Sequence, residues 1–223
     1  MPNHVAIIPD GNRRWAKSKG LGVVEAHKAG YETLKKMADA AVERGITTLT
    51  VYAFSTENWQ RTRDEVGALL KLLEWGLKNE VKHYHKRGVR LNFWGRRDDL
   101  PGGLAAALNE AEKLTHHNAN ATFNICFNYG GRADIVAAVN RTLESGVKAV
   151  DEEAFANYLV SAGTPDPDLI IRTSGEQRLS NFLPWEGAYS ELYFTDTLWP
   201  EFDEAELDKA LAEYANRGRR FGQ

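Results

Sequence analysis

The sequence predicts an α/β protein in which a mostly parallel central sheet of about six strands is covered by helices. Two observations predict it. Short β-branched runs alternate with longer stretches of helical period, and strands separated by helices pair in parallel through crossovers. The loops that leave those runs collect arginine, glycine and small hydroxyl residues, as expected where an open α/β sheet binds ligands at the carboxyl ends of its strands.

The first run, Val5–Ile8, leads into Asp10-Gly11-Asn12-Arg13-Arg14-Trp15. A helical pattern at Glu25–Arg44 precedes the second run, Ile46–Phe54, which ends in Ser55-Thr56-Glu57-Asn58-Trp59-Gln60-Arg61. Asp64–Arg87 reads as one long helix whose apolar face (Val66, Leu69, Leu70, Leu72, Leu73, Leu77, Val81) is wider than a single stripe. That breadth fits a helix packed deeply on the sheet or one wall of a hydrophobic tunnel, and periodicity does not separate the two. Next come a run at Val89–Trp94, a helix at Leu104–His116, and a run at Thr122–Phe127 closing on Asn128-Tyr129-Gly130-Gly131-Arg132. Helical patterns at Ala133–Leu143 and Glu152–Val160 follow. Pro165-Asp166-Pro167 marks a turn into the run Leu169–Ile171, which opens into Arg172-Thr173-Ser174-Gly175-Glu176-Gln177-Arg178-Leu179-Ser180. A last run, Glu191–Phe194, precedes a helix at Glu204–Asn216. No repeat or long linker interrupts the pattern, so residues 1–223 are expected to form a single domain.

Composition narrows the class. With 223 residues, 43% of them hydrophobic, one sizeable core is available. A net charge of −3 offers no basic field for nucleic acid. The single cysteine, Cys126, cannot close an internal disulfide, which fits a reducing, cytoplasmic setting. The opening MPNHVAIIPDGN is too polar for a signal peptide, and no apolar run approaches the roughly 20 residues of a membrane span. Membrane contact is therefore expected to be peripheral at most.

The loop chemistry suits phosphate. Arginine offers a planar fork of donors, and glycine lets backbone N–H groups come close. A helix starting after Asp10–Trp15 adds its N-terminal dipole. Asp10 and Glu191 either neutralise these arginines or hold Mg²⁺ against a diphosphate, since Mg²⁺ uses one or two carboxylates plus phosphate oxygens. Other chemistries lack their signatures. There is no GxxxxGK[ST], and Gly20-Leu21-Gly22 lacks a third glycine and a preceding strand. Asp98-Asp99 is not followed by a further Asp at the spacing of trans-type prenyl synthases. His83 and His85 do not share a helix face, and with His116 and His117 they read as solvated; no zinc spacing is present.

The stretches HVAIIPDGNRRWA, AHKAG, YAFSTENWQR, NYGGR, DPDLIIRTSGEQRLSNFLPWEGAYSELYF and the ending RRFG, taken in order, resemble the cis-prenyltransferase family over nearly the whole chain. The resemblance implies an Mg²⁺-dependent enzyme with a hydrophobic tunnel that condenses isopentenyl diphosphate onto an allylic diphosphate such as farnesyl diphosphate. It implies that Asp10 binds Mg²⁺ and diphosphate, with Gly11, Asn12, Arg13, Arg14 and Trp15 in the same diphosphate loop and His27 nearby. Ser55, Glu57, Asn58, Trp59 and Arg61 match the segment that closes over substrate, with Asn58 implicated in proton removal. Arg172, Arg178 and Ser180 match the isopentenyl diphosphate site, and Glu191 a second metal-linked carboxylate. Arg220 and Gly222 match a C-terminal element that reaches the neighbouring subunit of a homodimer.

Five positions depart from the family pattern or bear on product length. Val23 stands where many long-chain members carry arginine, and Arg13 replaces a common glycine. Ala53 is small near the tunnel entrance, Ala121 is small at the position resembling the tunnel floor, and Phe127 is bulkier than the usual alanine. On balance the resemblance implies a medium-to-long product, best matched by undecaprenyl diphosphate, the carrier lipid of cell-wall synthesis. A short-chain Z-farnesyl-type synthase, a non-catalytic partner subunit and a lipid diphosphate-binding protein remain open alternatives.

Overall fold

The computed structural model describes residues 1–217. Among them, six strands form one sheet: β1 (His4–Ile8), β2 (Thr48–Ser55), β3 (Val89–Trp94), β4 (Ala121–Tyr129), β5 (Leu169–Arg172) and β6 (Glu191–Phe194). Their order is β3-β4-β2-β1-β5-β6, and every neighbouring pair is parallel, so the sheet is wholly rather than mostly parallel. The helices are α1 (Asn12–Lys19), α2 (Val23–Glu43), α3 (Arg63–Asn79), α4 (Val81–Lys86), α5 (Leu104–Thr115), α6 (Gly131–Glu144), α7 (Glu152–Ala156) and α8 (Glu204–Asn216). No helix among the described residues is long and apolar enough to cross a membrane.

A parallel sheet covered on both sides needs strands that are apolar on both faces. In β1, Val5 and Ile7 join one core with Val51, Leu169, Ile171 and Trp199, while Ala6 and Ile8 join another with Tyr52, Ile170 and Phe182. Cys126, free and buried, belongs to the second core, and burial pushes its thiol pKa up.

Three local expectations change. The helix expected after Asp10–Trp15 begins at Asn12, because Gly11 takes the left-handed N-cap position (φ 104°); Arg13, Arg14 and Trp15 thus form its first turn. Asp64–Arg87 is two helices. The two are divided at Glu80, where φ −104° and ψ −21° interrupt the regular helix and whose carboxylate lies 3.0 Å from Lys35 Nζ. The helix expected over Glu152–Val160 stops at Ala156, where Tyr158 N–H and Leu159 N–H bond back only three residues.

One polar ladder crosses the buried sheet. His4 Nδ1 lies 2.6 Å from the Pro165 carbonyl, which can only accept, so Nδ1 carries the proton and Nε2 accepts from Thr50 Oγ1 at 2.7 Å. Thr50 Oγ1 in turn accepts from Asn124 Nδ2 (2.9 Å), and Asn124 Oδ1 from Asn92 Nδ2 (2.8 Å). The hydrogen bonds run in one direction across four strands and require a neutral imidazole. Burial, the largest influence, lowers the His4 pKa below 6.5 against the opposing pull of the Pro165 carbonyl and Asp168. The unfolded chain then binds the proton first, so stability present above pH 6.5 is lost as pH falls below it. Urea unfolding should show this loss, and His4→Ala should remove the pH dependence of this step while lowering stability by about 1–3 kcal/mol.

Candidate active site

Ile8 and Arg172 lie opposite one another at the carboxyl ends of β1 and β5, so the loops leaving them meet. Asp10 is fixed through its backbone: its N–H donates to Thr173 Oγ1 (2.8 Å), and its carbonyl accepts from the Thr173 hydroxyl (2.7 Å) and from Trp199 N–H (3.0 Å). Its carboxylate accepts from Gly11 N–H at 2.7 Å and from Arg172 Nη2 at 2.9 Å. Arg172 is only 4% exposed. Its Nη1 donates to Ser180 Oγ at 2.8 Å and to the Arg178 carbonyl, while its buried Nε has no hydrogen-bond partner.

More arginines surround this corner. Arg14 Nη2 donates to Ser174 Oγ at 2.5 Å, lies 3.4 Å from Glu176, and is 4.0 Å from Asp10. Arg178 is exposed and pairs with Glu176 at 2.6 Å. Three guanidiniums (Arg14, Arg172, Arg178) thus face two carboxylates (Asp10, Glu176), leaving one net positive charge. Asn12 adds a buried Oδ1 with no donor, set against Gly30, where a Cβ would collide with it. Trp15 turns to Glu201, its Nε1 donating at 3.1 Å.

The end of β2 continues into a 3₁₀ turn, Thr56–Gln60, closed by a reciprocal cap between Ser55 and Asn58. Asn58 Oδ1 accepts from Ser55 N–H at 3.1 Å, so in this geometry the carboxamide serves as a cap. Trp59 Nε1 donates to Asn128 Oδ1 at 2.7 Å. Burial pulls the Glu57 pKa up, yet hydrogen bonds from its own backbone N–H, Asn181, Ser55 and Thr56 together hold it below 4.5. Behind the turn, Glu65 Oε1 accepts from Arg61 Nη1 (3.0 Å) and lies 3.2 Å from Nε2 of buried His27. Burial is the main reason the His27 pKa falls below 6.5, with Glu65 pulling the other way.

Below this polar mouth lies a cavity of about 630 Å³. Asp10, Asn12, His27, Glu57, Asn58, Arg172 and Ser180 line its mouth; Leu69, Leu72, Leu73, Leu77, Phe93 and Ile125 line its depth. Both readings left open by periodicity hold in part: Leu69, Leu72, Leu73 and Leu77 of α3 line the hollow, while Leu69, Leu70 and Leu73 also pack against Phe54, Val66 and Phe127. Ala53 and Phe127 belong to the lining. Ala53 sits at a register shift between the Tyr52–Cys126 and Phe54–Phe127 pairs, and a bulge there re-aims the strand. Phe127 stacks on Phe54 at 4.9 Å between ring centroids.

Ala121 does not form the floor. It begins β4, one side-chain layer below Phe123, and lines a separate void of about 10 Å³. Leu91, Phe123 and Tyr84 close the main cavity above it. Glu191 does not join Asp10 within one chain. It pairs in register with Leu169 and hence with Val5, at the amino end of the strands, and binds Arg217 Nη1 at 2.8 Å. Five residues of strand separate the two levels, roughly 16 Å at about 3.3 Å per residue. The glycines of NYGGR serve packing: Gly131 N–H donates to the Asn181 carbonyl and Arg132 N–H to Asn181 Oδ1, both at 2.8 Å. Arg220 and Gly222 lie outside the described residues.

Sequence reasoning assigned no role to Thr173, Glu65 or Asn181. Glu65 had a usable signal, standing three residues after Thr62, a hydroxyl residue that caps the start of α3 by accepting from Glu65 N–H. Thr173 and Asn181 act through loop geometry, which spacing does not reveal.

The comparisons agree with this arrangement. A family model described as "Putative undecaprenyl diphosphate synthase" matches residues 8–222. An isoprenyl transferase of Fusobacterium nucleatum is 51% identical, covering 100% of this chain and 96% of that protein. A ditrans,polycis-undecaprenyl-diphosphate synthase of Legionella pneumophila, farnesyl-diphosphate specific, is 44% identical, covering 100% and 96%. Among solved structures, lavandulyl diphosphate synthase from Lavandula x intermedia, in complex with dimethylallyl diphosphate, superposes with a TM-score of 0.95 at 40% identity, covering 100% and 98% of the two chains. A probable undecaprenyl diphosphate synthase from Campylobacter jejuni follows at 0.85 and 31%, covering 100% and 99%. With a phosphate-suited corner opening onto an apolar hollow, and with these relatives matched over its whole length, the chain belongs to the cis-prenyltransferase family of undecaprenyl diphosphate synthase-like enzymes.

Proposed function

We propose that this prenyltransferase condenses isopentenyl diphosphate onto an allylic diphosphate, best matched by farnesyl diphosphate, and extends it to a polyprenyl diphosphate of undecaprenyl class. The observation that carries the reading is a single pocket that is cationic at the carboxyl edge of the sheet and apolar along the sheet for three side-chain layers beneath it, with the Lys35–Glu80 ion pair also in its lining. A diphosphate head with a growing hydrocarbon tail has that same polarity. The family resemblance supplies the cis geometry of each new double bond.

Arg172 and Arg14 hold the diphosphate of the substrate, exchanging part of their contact with Asp10, Ser174 and Glu176 for phosphate oxygens. Preorganised cations of this kind stabilise the charge that gathers on a departing diphosphate. Asp10 fits a role at Mg²⁺: one partly exposed carboxylate suffices when the phosphates supply the other oxygens. Bound Mg²⁺ would supply further neutralisation of the leaving group. Phe127, Phe54 and Trp59 shield the reacting carbon from water, and the leucines of α3 receive the tail. At about 0.8 kcal/mol per buried CH₂, each five-carbon unit contributes about 4 kcal/mol of burial.

A short-chain reading retains one observation in its favour, the closure of the cavity at Phe123, together with the high TM-score to lavandulyl diphosphate synthase. A homodimer has a surface to use. Val136, Val139 and Leu143 share one face of α6, and Val136 and Leu143 are 60% and 70% exposed. In that dimer Arg220 and Gly222 would reach the neighbouring site.

Three experiments test these proposals. Asp10→Asn should retain the fold but lose at least about 10²-fold in turnover of labelled isopentenyl diphosphate with farnesyl diphosphate and Mg²⁺; activity near wild type removes Asp10 from the chemistry. Phe123→Ala should shift the product ladder to longer chains on reverse-phase sizing, whereas Ala121→Leu should leave it unchanged. A ladder that responds to position 121 alone puts the floor lower. Val136→Glu with Leu143→Glu should give monomers by sedimentation where the wild type gives dimers, and a monomeric wild type rules out the assembly.

A further inference from the structure

We propose that Asn181 is a positioning residue that latches the Thr56–Gln60 turn shut over the diphosphate corner, acting through Glu57. Its side-chain Nδ2 donates to Glu57 Oε1 at 3.0 Å, its Oδ1 accepts from Arg132 N–H, and its carbonyl accepts from Gly131 N–H, the latter two at 2.8 Å. One residue thus joins three elements: the turn after β2, the first turn of α6, and the loop that follows β5.

The surrounding backbone is shaped for this contact. Asn181 sits at φ 68°, between Ser180 at 50° and Leu183 at 48°, in a region that Asn tolerates but most residues avoid. Gly130 supplies the space, since a Cβ there would come within 2.7 Å of Thr56 Oγ1 and 2.8 Å of Asn181 Nδ2. Strained loops that persist at a pocket mouth commonly serve its function. Here the strained residue adjoins Ser180, whose hydroxyl accepts from Arg172, and Arg172 pairs with Asp10. Asn181 and Glu57 both line the pocket mouth. The latch therefore sits one residue from Ser180 and the cationic corner, and ties the turn to it.

A closed turn excludes water from the corner and orders the groups around the bound head. Opening it should weaken capture of the diphosphate substrate more than it slows the bound complex. This kinetic expectation rests on the proposed condensation; the backbone expectation does not.

Asn181→Asp tests the latch. It keeps the size, the left-handed backbone and the acceptor for Arg132 N–H, but places a second carboxylate against Glu57. Hydrogen exchange at residues 55–61 should quicken about tenfold or more, as expected for losing a hydrogen bond to a charged group. The KM for isopentenyl diphosphate should rise by a larger factor than kcat falls. Adding Glu57→Gln restores the hydrogen bond with its polarity reversed, and exchange should return close to the wild-type rate. The proposal is overturned if N181D exchanges like wild type at 55–61, or if the double variant is as open as the single one. If N181D does not fold, Glu57→Ala carries the same exchange expectation with the loop after β5 untouched. A wild type that turns over neither diphosphate, while exchange responds as described, defeats the functional reading and leaves the latch standing.

Discussion

The contact between Asp10 and Arg172 is the interaction on which the rest of the site depends. It exists because β1 and β5 are parallel neighbours whose last residues are in register, so two loops far apart in sequence leave the sheet side by side. A guanidinium this deeply buried is costly unless its charge is matched, and deleting one partner of a buried pair typically costs about 3–5 kcal/mol. Asp10, Ser180 and the Arg178 carbonyl provide the match. Thr173 and Trp199 hold the Asp10 backbone so that the carboxylate does not turn away. The corner is therefore rigid before a substrate arrives, which is the condition under which electrostatic stabilisation of a leaving group is strongest.

The hollow beneath imposes an opposite constraint. α3 carries leucines enough for a core, and it divides them between the hollow and packing against Phe54, Val66 and Phe127. Contacts at its ends add to this. Thr62 caps its start, and Glu65 anchors the first turns to His27 and Arg61. Further along, Trp75 meets Tyr31 edge to face, and Lys35 bridges to Glu80 beside both rings.

Most of the fold was legible in the sequence. β3, β6 and α8 occupy the expected residues, because in each the pattern and the boundary signals agree. The meeting of the loops after β1 and β5 was legible too, since both leave the carboxyl edge of the sheet, and Asp10 and Arg172 do pair there. What stayed hidden depends on three dimensions. Glu191 looks like a second site carboxylate until register places it at the other end of the sheet. Ala121 looks like a floor until the layers are counted and Phe123 is found above it. Asp64–Arg87 keeps its helical period straight through Glu80, so the division into α3 and α4 at that residue has no signal in the pattern. Asn181 has no local pattern at all, because its partners lie 124 and about 50 residues away.

The polarity of the pocket also fixes the direction of growth. In the proposed condensation the diphosphate sits at the carboxyl edge, beside the Asp10–Arg172 pair. Units added at the head must therefore push the tail inward, away from the edge. Each unit gains burial while it displaces water from an apolar wall, and this continues until the tail meets side chains packed from behind. Phe123 and Leu91 stand on strands with core on their far side, and Tyr84 packs edge-on against Phe123 at 5.9 Å between ring centroids. Ala53 and Phe127 line the same hollow, whereas Ala121, one layer beneath Phe123, lines a separate void.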